Sequence, residues 1–139
     1  MRFLDTNILL RYLTKDDEQK ARRALALLSK VERGEEKVFT SPMVIFEVVF
    51  TLQRRYQVPR EHIRASLGDI ISLRLLDLPS KHLYVRALEL YASKNMSFAD
   101  AFNAVYMQSR GVSEIYSWDT DFDKLEGFAR LEPSEEDQR

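Results

Sequence analysis

Cysteine is absent from this 139-residue chain, so neither a disulfide framework nor a thiolate metal site can be built from it. Histidine is nearly absent. His62 and His82 fall on what read as different helices, and each reads as a solvated surface residue rather than a ligand. Any metal centre must therefore be made of oxygen. A long apolar run is missing too: the longest, MVIFEVVF from Met43, is split by Glu47 and falls far short of a membrane span. Arg2 and Asp5 interrupt the start and no apolar segment follows them, so no secretory signal is expected and the cytoplasm is the expected compartment. A surplus of positive charge is also lacking. The net charge is −1, and the stretch 132–139, with Glu132, Glu135, Glu136, Asp137 and Arg139, carries −3 of it, leaving +2 for residues 1–131. That excludes a broad basic footprint held by phosphate contacts, so any contact with nucleic acid must be local.

What is present is the composition of an ordinary globular domain, with 45% hydrophobic and 31% charged residues, and a length sufficient for a single core. We expect one domain over residues 1–131 and a disordered acidic tail over 132–139. Short apolar runs alternate with helical periodicity. Strands are expected at Phe3–Leu4, Lys37–Thr40, Leu75–Leu78, Glu114–Ser117 and Ala129–Leu131, and helices lie between them. Ser41-Pro42 reads as an N-cap followed by proline at the first helical position, and Gly34 and Gly111 read as helix stops. This alternation implies an α/β fold with a central parallel sheet of four or five short strands. Such sheets collect functional groups at the carboxyl ends of their strands.

Four carboxylates stand at such places. Asp5 ends the first strand, Glu47 lies inside the apolar MVIFEVVF, Asp100 begins a helix in SFADAFNAVY, and Asp119 follows the strand EIYS. Each has a structural explanation of its own. Asp5 or Thr6 could cap a helix, and Glu47 could belong to a polar stripe with Thr51 and Arg54. Ser97 and Asp100 form a capping box, and Asp119 could cap a turn. Together they suggest more, because carboxylates converging at one sheet edge repel each other unless a divalent cation neutralises them. Hard oxygen ligands suit Mg²⁺ or Mn²⁺, and the chemistry served by such clusters is phosphodiester hydrolysis. A calcium loop over Asp119, Asp121 and Asp123 is excluded, because Lys124 stands where glycine is needed and Arg130 where the bidentate Glu is needed. A strand-end D-x-D phosphatase motif fails at Asn7.

The segments LDTNILLRYL, SPMVIFEVVFTL, FADAFNAVYMQSRG and IYSWDTDF, in that order, resemble the four motifs of PIN-domain ribonucleases, in particular the VapC-like toxins of toxin–antitoxin pairs. The resemblance covers residues 1–131. It implies a three-layer α/β/α sandwich and a Mg²⁺- or Mn²⁺-dependent endoribonuclease that leaves a 5′-phosphate and a 3′-hydroxyl. Asp5, Glu47, Asp100 and Asp119 match the acidic quartet, with Asp5, Asp100 and Asp119 as metal ligands. Thr6, Asn7, Ser117 and Asp121 match secondary polar positions that place substrate, and Asn103 joins them. A homodimer and a small antitoxin protein are the partners implied. A PIN-like fold that binds RNA without cutting would be signalled by a missing acid, and none is missing. A flap-type DNA nuclease needs helical insertions for which 139 residues leave little room. One departure stands out: Trp118 is a bulky residue between Ser117 and Asp119.

Overall fold

The computed structural model describes residues 1–135. It opens with β1 (Arg2–Phe3), α1 (Thr6–Thr14) and α2 (Glu18–Glu32), followed by β2 (Val38–Phe39), α3 (Pro42–Arg54) and α4 (Arg60–Ile71). Then come β3 (Leu76–Asp77), α5 (Lys81–Ser93), α6 (Phe98–Ser109) and β4 (Glu114–Tyr116), a 3-10 turn at Thr120–Lys124, and β5 (Ala129–Leu131). The expected order of elements is present, with most ends moved by one to three residues; β1 lies one residue earlier than expected, at Arg2–Phe3 rather than Phe3–Leu4. The 3-10 turn is an addition that no periodicity announces.

Local chemistry accounts for most boundaries. Asp17 caps α2 by accepting from Lys20 N–H at 3.0 Å, Ser41 caps α3 through Val44 N–H at 3.3 Å ahead of Pro42, and Ser97 caps α6 through Asp100 N–H at 3.1 Å. Gly34, at φ +82°, takes the left-handed conformation that ends α2.

The five strands are parallel, as expected, but form two ladders. β1, β2 and β3 make one in that spatial order, with Arg2, Val38 and Leu76 in register, and β4 pairs with β5, Tyr116 opposite Leu131. Strands of two or three residues offer few ladder bonds, so helix packing must carry the fold. α5 lies between α4 and α6. Ile63, Leu67, Ile71, Leu88, Tyr91, Ala101 and Ala104 are fully or almost fully buried there. Each large apolar side chain contributes about 1.5–3 kcal/mol by leaving water.

The apolar residues of α2 and α3, which look surplus in the sequence, are largely absorbed. Val44, Val48, Val49, Leu52, Leu28 and Val31 are buried, and the Phe46 ring packs on Phe98 and Phe102 at 4.9 and 5.3 Å. Met43, Phe50 and Leu25 stay exposed. Of the expected tail, residues 132–135 are exposed and 136–139 lie outside the described residues.

Candidate active site

Asp5 leaves the carboxyl end of β1, pinned by the residue before it. Leu4 N–H donates to Phe39 O at 2.7 Å, and the buried Thr40 hydroxyl donates to Leu4 O at 2.9 Å. Asp5 occupies the N-cap position of α1 in extended backbone, yet its side chain makes no capping bond and is exposed. The simple capping account of this carboxylate therefore fails. Thr6 does not cap either. It is buried and donates to Glu47 Oε2 at 3.1 Å, tying the start of α1 to the middle of α3 across 41 residues. Glu47 is thus an exposed carboxylate oriented from below, and Phe46 beside it packs on the two aromatics that flank Asp100.

The second group of acids comes from the chain's other end. Asp100 sits in the first turn of α6, where Ser97 accepts its backbone N–H. Asp119 caps the 3-10 turn by accepting Asp121 N–H at 2.9 Å, and its own N–H donates to Ser117 Oγ at 3.0 Å. These local bonds fold Asp119 and Asp121 back toward Asp100. Carboxylate oxygens of Asp100, Asp119 and Asp121 all lie within 4.8 Å of one another. Lys124 pairs with Asp121 at 2.9 Å. Arg130, nearly covered, holds Asp123 at 3.1 Å, Glu132 at 2.8 Å and Ser117 O at 3.0 Å, which draws Asp123 away from the cluster and fixes the end of β4.

The electrostatics are those of like charges sharing a site. Burial pushes the Asp100 carboxyl above its ordinary value. The hydrogen bond and charge of Asp119 add to this, and the Ser97 hydroxyl opposes it. Asp119 is held below its ordinary value, chiefly by the Asp121 backbone N–H and then by the proton shared with Asp100. The two behave as one dyad that keeps a proton longer than a lone aspartate does. A divalent cation would relieve the same repulsion, and an all-carboxylate donor set at this spacing fits a hard cation such as Mg²⁺ or Mn²⁺.

The tight trio is Asp100, Asp119 and Asp121, so Asp121, expected only to place substrate, stands among the candidate ligands. Asp5 and Glu47 lie outside that 4.8 Å group; Thr6, which follows Asp5 in the chain, bonds Glu47 and so links it to the start of α1. The signal that could have found Asp121 is the i,i+2 capping bond of an aspartate-rich turn, visible in SWDTDF. Asn7 and Asn103 are exposed, and Ser117 is partly covered beneath Asp119. Asn103 follows Asp100 by three residues on α6, so both share a helix face. Asn7 also lines a cleft of about 440 Å³ between α1 and α2, together with Arg11, Lys20 and Arg23.

A family profile for the PIN domain matches residues 2–127. The chain is 30% identical over 136 residues to a VapC ribonuclease of Aquifex aeolicus, an alignment spanning 98% of this chain and 99% of that one. Among solved structures it is similar to the VapC20 toxin of Mycobacterium tuberculosis, described as cleaving the sarcin-ricin loop. That match has 25% identity, a TM-score of 0.40, and coverage of 96% of this chain and all of that one.

Proposed function

We propose that this chain, which belongs to the PIN-domain family, is a Mg²⁺- or Mn²⁺-dependent endoribonuclease, the toxin of a toxin–antitoxin pair acting in the cytoplasm. The observation that carries the reading is the convergence of Asp100, Asp119 and Asp121 within 4.8 Å, in a chain with a curated VapC ribonuclease relative. Asp5, Asp100 and Asp119 would hold the metal, with Asp121 as a further ligand. A cation held there would supply an activated water and neutralise charge growing on the scissile phosphate.

The chain's own residues do the rest. Glu47, held by the Thr6 hydroxyl, orients the attacking water and can accept its proton. Ser117 positions Asp119 through the backbone, and Asn7 and Asn103 present amides to the sugar-phosphate chain. Lys20 and Arg23, on the cleft that begins at Asn7, supply the local positive charge that the balanced whole lacks. The exposed Met43, Phe50 and Leu25 are apolar surface available to a second copy of the chain or to an antitoxin segment, and among the described residues no helix is long and apolar enough to cross a membrane.

The test is cleavage of an RNA panel with Mg²⁺, Mn²⁺ or EDTA, comparing wild type with Asp5→Asn. Cleavage that needs metal and is lost in the variant supports the proposal. Cleavage that persists in EDTA, or none on any RNA, removes it.

A further inference from the structure

Trp118 and Tyr116 are unaccounted for by the acidic site. They are 71% and 68% exposed, among the barest large apolar side chains of the described residues, so neither packs into the fold. Both belong to one piece of backbone. Tyr116 ends β4, and Ser117 N–H donates to Leu131 O at 3.0 Å, carrying the ladder one residue past the strand. The chain then bends at Trp118 and delivers Asp119 into the carboxylate cluster. Arg130 bonds Ser117 O, so β5 holds both the N–H and the carbonyl of the residue that precedes the indole.

Trp118 is thus one residue from a candidate metal ligand, about 3.8 Å between Cα atoms. From this juxtaposition, and resting on the nuclease reading above, we infer that Trp118 is a stacking platform for an unpaired base of the substrate beside the scissile phosphate. A phosphate at the acids brings its own nucleotide's base within reach of a side chain on the adjoining residue. A flat, solvated ring accepts that base by its face, a contact tolerant of sequence. In a duplex the base faces are already stacked on one another, so the substrate class is single-stranded or looped RNA. A protein partner would also cover an exposed indole, but nothing would require its contact to adjoin the acids.

Trp118 is the chain's only tryptophan, so its emission reports the contact directly. In the Asp5→Asn background with Mg²⁺, where the RNA is expected to remain intact, a short single-stranded RNA should produce a saturable fall in emission, and a blunt duplex of the same sequence should not. In the active protein, Trp118→Ala should raise KM by about 5- to 150-fold, the equivalent of roughly 1–3 kcal/mol for one stacked base. kcat should stay within about threefold, melting should be unchanged, and Trp118→Phe should recover most of the loss.

Unaltered emission while anisotropy shows RNA bound, or wild-type KM in Trp118→Ala, overturns the inference and leaves the nuclease reading standing. Trp118→Ala that keeps its KM but loses mass by light scattering marks a protein contact and overturns it equally. A wild type that cuts no RNA removes both.

Discussion

Asp5→Asn separates a ligand from a cap within one residue. An aspartate at an N-cap ordinarily contributes about 0.5–2 kcal/mol through its bond to a first-turn N–H. Asp5 occupies that position without making the bond, so the substitution has no cap to remove, and asparagine suits the backbone there equally well. Asp17 is the internal control: it does cap, accepting Lys20 N–H at 3.0 Å at the start of α2. Asp17→Ala should cost about 1 kcal/mol, or about 3–6 °C in Tm for a domain of this size, with cleavage unchanged. Asp5→Asn should move Tm in EDTA by less than about 2 °C. Its cleavage should fall on the order of 10²-fold or more, the scale for losing one group that acts on transition-state charge. Calorimetry gives the first comparison and initial rates on a labelled RNA the second. An Asp5→Asn protein that melts as low as Asp17→Ala, or cuts within about threefold of wild type, refutes the assignment.

Mg²⁺ at about 100 times its dissociation constant should stabilise the wild type by about 2.7 kcal/mol in thermal melts, and Asp119→Asn should lose most of that shift; a shift of equal size in both proteins would place the ion elsewhere. The raised Asp100 carboxyl means that, without metal, its contribution to stability is fully present below its unfolded value and is lost as pH rises through its folded value. Asp100→Asn in EDTA should accordingly melt at or above the wild type at pH 7, and the advantage should vanish by about pH 3; a variant lower throughout would assign Asp100 a structural role alone. Asp16 is pulled down to about 2, first by the Tyr56 hydroxyl at 2.8 Å and then by Thr14 and Arg11 against the opposing effect of desolvation. A depressed carboxylate stabilises above its unfolded value and loses that stability as pH falls through its folded one. Tyr56→Phe should therefore melt below wild type at neutral pH with a gap that narrows between about pH 4 and pH 2, and a gap independent of pH would contradict the assignment.

The amino-acid sequence alone determined whatever depends on neighbours along the chain. The element order follows from apolar period. The Ser41 and Ser97 caps follow from an oxygen side chain before an apolar run, and the all-oxygen character of any metal site follows from the missing cysteines and from just two histidines, set apart in the sequence from the four acids' motifs. The four acids could be named for the same reason, since Asp5, Asp100 and Asp119 mark junctions between elements and Glu47 interrupts an apolar run. Tertiary structure decided the roles. Asp5 and Asp119 both occupy N-cap positions, but only Asp119 makes the bond, because capping depends on side-chain orientation rather than residue type. Asp121 joins the cluster, and Asp123 does not, because Arg130 draws Asp123 aside. Phe46 of α3 packs on Phe98 and Phe102, partners 52 and 56 residues further along the chain, while Met43 and Phe50 of the same helix stay exposed. Five short strands were legible, but their division into ladders of three and two was not, because a two-residue strand has too few ladder bonds for its own pattern to choose a neighbour.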